Sequence, residues 1–285
     1  MTNRALITTS TLGLMVIQLN TSADAVLKHR YNFSETNATV VADSVTGGGN
    51  GNVIGSGVKR EKGQIILPGG ASDSGAAYVE LPANIISSLS NVTIEAWATW
   101  ADTSEEPWQR IFDFGSSEEG KGKSGKGFSY LMLTTKRFGD DTISFEATRS
   151  PDDDPDKTVL LANSSPAVDR EYYYAVVYDP GANVSKLYVN GKQAAADKAP
   201  RPLSKINDAN NLLGRSQWGD NSLFKGSFNE VRIWEGALTA DQIADHQKGG
   251  PDQKLQPKLP GKESTPARPD DARKKEADKK DKPAK

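Results

Sequence analysis

The sequence predicts an all-β fold, two antiparallel sheets closed into a jelly-roll sandwich, and three observations carry that expectation. β-Branched and aromatic segments recur at roughly 8–15-residue intervals, the rhythm of sandwich strands. Gly, Asn, Asp and Pro cluster between those segments, where turns need them. Helical patterning is confined to one short stretch near residue 240, with no internal repeat and no strand–helix–strand alternation.

The clearest strand is Val92–Trp100, rich in β-branched and aromatic residues. Trp97 and Trp100 are three apart, so they point to opposite faces of it. Ile94, Ala96 and Ala98 share the face of Trp100, which places Trp100 in the core. Trp97, with Glu95 and Thr99, is then expected on the outer, ligand-facing surface; a bulge between the two tryptophans would reverse this. Residues 111–115, 128–133 and 142–147 read as further strands. Residues 171–178, with three consecutive Tyr, run into an Asp179-Pro180-Gly181 turn. Val184–Val189 returns, and Asn190-Gly191 supplies the φ > 0 pair of a type I′ hairpin. Residues 226–234 form a last long strand. Thr239-Ala240-Asp241-Gln242 is a capping box that opens a short helix to about Gln247, stopped by Gly249-Gly250-Pro251.

Composition narrows the function classes. The 285 residues include no Cys and two His, with a net charge of −2. Thiolate metal sites and Cys nucleophiles are excluded, and His-based catalysis has little to draw on. The balanced charge argues against nucleic-acid binding. Arg4, an apolar run over residues 12–19 and Ala23-Asp24-Ala25 read as a signal peptide, residues 1–25, which predicts a secreted, periplasmic or cell-surface protein starting at Val26. That run is too short to span a bilayer. Residues 249–285 form a Lys/Pro/Asp-rich tail expected to be disordered. From Gly250 it carries nine Lys and two Arg against five Asp and two Glu, a net +4, which leaves −6 on residues 26–249.

Several segments together resemble the laminin-G-like branch of the concanavalin A-like lectin/glucanase jelly rolls. Tyr31-Asn32-Phe33-Ser34-Glu35 followed by Asp43-Ser44 and Gly47 to Asn52 is similar to the family's opening motif. Thr93-Ile94-Glu95-Ala96-Trp97 resembles its "tiEaW" strand, and Gln109-Arg110-Ile111-Phe112 its "qrIf". Tyr174 to Tyr178, Lys186 to Lys192, Leu213-Gly214-Arg215 and Asn229 to Trp234 follow in family order. The resemblance covers residues 27–246 and implies a two-sheet antiparallel fold. It also implies a ligand drawn from carbohydrates, proteins or polyanions, with related branches hydrolysing polysaccharides.

The chemistry at hand favours binding. Retaining hydrolases on this fold carry E-x-D-x-E on one strand, which sets two carboxylates ~5 Å apart. No such run is present, so the expectation is a non-catalytic module, with a degenerate hydrolase as one alternative and a surface protein–protein adhesion scaffold as another. Trp108 and Trp218 lie in loops with polar neighbours, Arg110 beside the first and Asp220 and Asn221 beside the second. Apolar rings with flanking hydrogen-bonding groups suit a glycan or glycoconjugate partner, although a loop Trp also serves to cap a sandwich. Expected ligand-binding residues are therefore Trp108, Arg110, Trp218, Asp220, Asn221, Trp97 and Glu95. The resemblance further implies a structural calcium held by the Gly/Asn-rich loop and the last strand, here Asp43, Asn50 and Asn229. The acidic residues 152–156 are read as a solvated loop.

Overall fold

The computed structural model describes residues 25–37, 39–150 and 154–255, so the predicted signal peptide and most of the tail lie outside the described residues. The chain divides into units of residues 1–252 and 253–285, and every element below belongs to the first. Its strands are β1 (Val26–Tyr31), β2 (Val40–Val41), β3 (Gly51–Ile54), β4 (Lys59–Glu61), β5 (Gln64–Gly70), β6 (Tyr78–Leu81), β7 (Val92–Trp100) and β8 (Arg110–Ser117). There follow β9 (Gly127–Thr134), β10 (Ser144–Thr148), β11 (Thr158–Leu161), β12 (Arg170–Asp179), β13 (Val184–Val189), β14 (Lys192–Asp197), β15 (Asn210–Leu213) and β16 (Leu223–Glu235). Among the described residues a single α-helix, α1 (Ala240–Gly249), closes the unit.

Two antiparallel sheets result. The first runs β14-β13-β12-β7-β16-β5-β4, with β1 also paired to β16. The second runs β11-β10-β9-β8-β15-β6-β3-β2. Their facing sides meet in one core, built from Val92, Ile94, Ala96, Ala98 and Trp100 of β7, Phe112 and Phe114 of β8, Leu131 and Leu133 of β9, and Phe224 and Phe228 of β16. Alternation, the period-2 consequence of the pleat, decides which side chains these are. The tight hairpin forms as the sequence predicts, with Asn190 at φ 50° and Gly191 at φ 75°. The capping box also forms, Thr239 Oγ1 accepting from the Gln242 amide while the Gln242 side chain accepts from the Thr239 amide.

β5 has no counterpart in the sequence reading. Its core positions Ile65 and Leu67 are followed by Pro68-Gly69-Gly70, which read as a turn. The strand survives there because it pairs with β16 from Phe228 to Leu223, and Gly69 faces Lys225 so closely that a Cβ would stand 2.4 Å from the Lys225 Cβ.

The expectation that Trp97 and Glu95 present themselves to a ligand is corrected. The parity is right, since both point away from the core. However, that outer face is covered: Trp97 is 3% exposed and Glu95 0%. The Arg232 guanidinium stacks on the Trp97 ring at 4.4 Å and Tyr173 packs against it at 4.6 Å. Glu95 accepts from the Trp234 indole at 2.6 Å and the Tyr173 hydroxyl at 2.5 Å, with His246 of α1 at 2.9 Å. Arg232 and Arg30 both reach Glu230 and donate to the Pro251 carbonyl, at 2.9 and 3.2 Å. A buried carboxylate persists only with such partners. Burial pushes Glu95 up, but the hydrogen bond and charge of His246, the charge of Arg232 and the Tyr173 hydrogen bond outweigh it and hold the carboxyl below its ordinary value.

Candidate ligand-binding cleft

The outer face of the second sheet carries an open cleft of about 350 Å³. Alternation builds its floor. Tyr130 and Met132 of β9 and Glu146 of β10 point outward between core residues Leu131, Leu133, Phe145 and Ala147. Its walls are two loops distant in sequence, one bearing Trp108 and the other Trp218, Asp220 and Asn221. Five of the seven expected ligand-binding residues thus converge here, Arg110 being the fifth. Trp97 and Glu95, on the outer side of the other sheet, do not.

Trp108 is half-buried and sits in the left-handed region at φ 62°. For a bulky residue that conformation costs about 1–2 kcal/mol, so its surroundings must impose it. They do so at both ends of the residue. The Trp108 amide donates to the Lys136 carbonyl at 2.8 Å, and the Trp108 carbonyl accepts from Arg110 Nη1 at 2.7 Å. The next residue, Gln109, is pulled inward, accepting at Oε1 from the Trp100 indole at 3.1 Å and from the Lys225 amide at 2.9 Å. Lys136 ties the rest of the loop to the β9–β10 hairpin through Glu105 at 3.2 Å and Asp141 at 3.4 Å.

The second wall is clamped differently. Gly125 donates to the Gln217 carbonyl at 3.0 Å and accepts from the Gly219 amide at 2.7 Å. The half-buried Trp218 ring lies over Gly127, where a Cβ would stand 2.3 Å from the indole nitrogen. Gly127 is therefore a close-approach position, one of the few at which this site requires glycine.

Arg110 joins the two walls. Besides the Trp108 carbonyl it donates to Asn221 Oδ1 at 3.1 Å and to Asp113 Oδ2 at 3.1 Å, and its guanidinium lies 5.4 Å from the Trp108 ring centre. Asp113 lies beneath, wholly buried, and also accepts from the Gln217 amide at 3.0 Å. Its Oδ1 has no hydrogen-bond partner. Burial pushes the Asp113 carboxyl up from 3.8 to about 6, more than Arg110, Gln217 and Ser216 pull it down.

The sign of that shift sets a pH dependence. A folded-state value above the unfolded one means that ionising Asp113 opposes folding. Its favourable contribution is complete below the ordinary aspartate value of 3.8, is lost as pH rises through about 6, and amounts to about 3 kcal/mol at ~1.36 kcal/mol per unit. Asp113→Asn should therefore gain stability relative to the parent by about that amount between pH 4 and pH 7. Urea denaturation of both proteins at the two pH values measures it; a constant difference would refute the assignment.

The expected calcium residues are only partly brought together. Asp43 and Asn50 meet, the Asp43 amide donating to Asn50 Oδ1 at 2.9 Å. Asp43 Oδ1 accepts from the amides of Arg30 and Val45 at 3.0 and 2.9 Å, and Oδ2 lies 2.7 Å from His29 Nδ1. Asn229 sits at a register shift in β16 and donates to Glu171 of β12 at 3.0 Å, across β7. Among the described residues no grouping of three His, Cys, Asp or Glu has metal-ligand geometry. As placed, Asp43, Asn50 and Asn229 do not fit a calcium ion: N–H donors already occupy the oxygens, and the third ligand is turned away. Asp154 also departs from the solvated loop expected of it. It is drawn inward to accept from Thr148 and the Arg149 amide at 2.9 and 2.8 Å, and it pairs with Arg201.

Sequence reasoning did not single out Tyr130, Met132, Arg137, Glu146 or Lys157, all of which line the cleft. Glu146 between core residues Phe145 and Ala147 was the available signal: a charged residue at an outward position of a strand that alternates polar and apolar side chains.

Comparison with known proteins places the fold. The family model of the concanavalin A-like lectin/glucanases superfamily matches residues 73–244, more than half of the chain. The chain belongs to that superfamily. Solved structures agree on the fold of this lectin/glucanase-like domain. Domain 4 of an extracellular arabinanase from Geobacillus stearothermophilus, solved with arabinotriose, aligns at TM-score 0.59 and 20% identity over 78% of this chain and 98% of that one. Trypanosoma rangeli sialidase aligns at 0.57 and 12% identity, over 78% of this chain and 32% of its own. The botulinum neurotoxin type C structure, described by its dependence on two ganglioside molecules for cell entry, aligns at 0.56 and 14% identity, over 79% of this chain and 51% of its own. The chain thus spans only part of the latter two. No curated protein matches the sequence.

Proposed function

We propose that the domain is an exported, non-catalytic binding module that holds a glycan or glycoconjugate in the cleft between Trp108 and Trp218. One observation carries the reading: loops 110 residues apart deliver two half-buried indoles to a single groove, with Arg110, Asn221 and Asp220 beside them. A sugar offers an apolar C–H face and a rim of hydroxyls, and this pairing of rings with hydrogen-bonding groups answers both. The arabinotriose-bound arabinanase domain supports the reading by analogy of fold. Export is supported by the signal-like residues 1–25. Among the described residues the exposed large hydrophobics are Val26, Ile54, Phe128, Phe138 and Leu161.

A glycan-array screen of the full chain, repeated with Trp108→Ala and Trp218→Ala, tests the proposal. Each substitution should weaken binding about tenfold or more, ~1.4 kcal/mol, with circular dichroism unchanged. Binding that survives the double substitution would place the site elsewhere. A second reading, hydrolysis, has one observation behind it: two carboxylates, Glu146 and Asp220, line the cleft. Glu146 is, however, engaged by Lys157 at 2.8 Å. Release of reducing ends from a bound polysaccharide, abolished by Glu146→Gln, would favour it over the binding module.

A further inference from the structure

The charges around the cleft restrict the class of saccharide it takes. Three cations line it, Arg110, Arg137 and Lys157. Each is met by a carboxylate of the same chain. Lys157 Nζ lies 2.8 Å from Glu146, and Arg137 Nε lies 3.8 Å from the same side chain. Arg137 also pairs with Asp140, and Arg110 with Asp113 at 3.1 Å. Asp220, exposed at the rim, adds a further carboxylate. Of these carboxylates Glu146 and Asp220 line the cleft itself, while Asp113 and Asp140 pair with Arg110 and Arg137 from outside the lining, so none of the three cations is left without a carboxylate partner. An anionic sugar would have to displace one of these carboxylates, or enter beside it at the cost of like-charge repulsion. The wider field has the same sign, because residues 26–249 carry −6. A neutral sugar meets no such opposition, and its hydroxyls need only the donors and acceptors already facing the groove.

We propose that the cleft selects uncharged saccharides and discriminates against sialylated, uronic and sulfated ones, because its cations are neutralised from within the protein. The inference rests on the glycan-binding reading and goes beyond it by naming the ligand class.

Matched probes test it on the full chain: lactose against 3′-sialyllactose, and methyl-esterified against free oligogalacturonide, alongside arabinotriose and an array of neutral glycans. At pH 7.5 and low salt, neutral members should bind at least about tenfold more tightly than their anionic partners. Glu146→Gln should release Lys157 and Arg137 and raise affinity for the anionic member of a pair on the order of tenfold, with the neutral member changed less. Tighter binding of an anionic probe than of its neutral partner, lost in Trp218→Ala, would overturn the charge argument and leave the glycan site standing. Absence of binding to every glycan would instead sink the glycan reading, and this inference with it.

Discussion

Glu95→Ala will cost the domain about 3–5 kcal/mol, the loss expected when one partner is removed from a buried, charged hydrogen-bond network. Glu95 is the shared acceptor for the Trp234 indole, the Tyr173 hydroxyl and His246. Alanine leaves these without their acceptor and weakens the compensation of Arg232, itself 0% exposed and 3.9 Å from Glu95. It also frees α1, whose His246 stacks on Trp234 at 5.2 Å. Glu95→Gln keeps the shape and one acceptor oxygen, so its cost should be smaller, about 1–3 kcal/mol. Because Glu95 is held below its ordinary value, its contribution is present at neutral pH and is lost as pH falls through the acid range. Urea midpoints for both variants at pH 7 decide the matter. A Glu95→Ala protein within 1 kcal/mol of the parent, a margin typical of surface substitutions, would mean that the helix is held by something else.

Arg110→Ala carries the second large effect, and it acts on binding and stability together. One guanidinium holds the Trp108 carbonyl, Asn221 and Asp113, so both walls of the cleft lose their tie. Glycan binding should disappear, and stability should fall by up to about 3–5 kcal/mol through the buried carboxylate left behind. The stability loss should shrink below pH 6, where Asp113 takes up a proton. Arg110→Lys should not rescue binding, because one ammonium cannot reproduce a planar fork aimed at three acceptors. At pH 7 the combined Arg110→Ala/Asp113→Asn protein should be more stable than Arg110→Ala alone, because no buried carboxylate is left behind, and thermal melts of the four proteins give the coupling directly.

Much of this was legible in the sequence. The parity of β7 follows from alternation alone, and Trp100 takes the core as predicted. The loop tryptophans stand out because no strand face claims them. What covers the outer face of β7 could not be read locally: Arg232, Tyr173 and His246 come from β16, β12 and α1, and only strand order brings them over Trp97 and Glu95. The cleft floor was hidden for a related reason. The outward residues Tyr130 and Met132 are as apolar in type as the core pair Leu131 and Leu133, so β9 reads as a strand with no wet side. Asn229 took its own direction because a register shift next to it turns the side chain toward β12.

The left-handed backbone at Trp108 bears on how a complex would form. Its conformational cost is met once, during folding, by Lys136 and Arg110. The indole is then preorganised, with little freedom left to surrender when a guest arrives. Free and occupied forms should share nearly one shape, and differences in affinity among guests should appear in how slowly they depart.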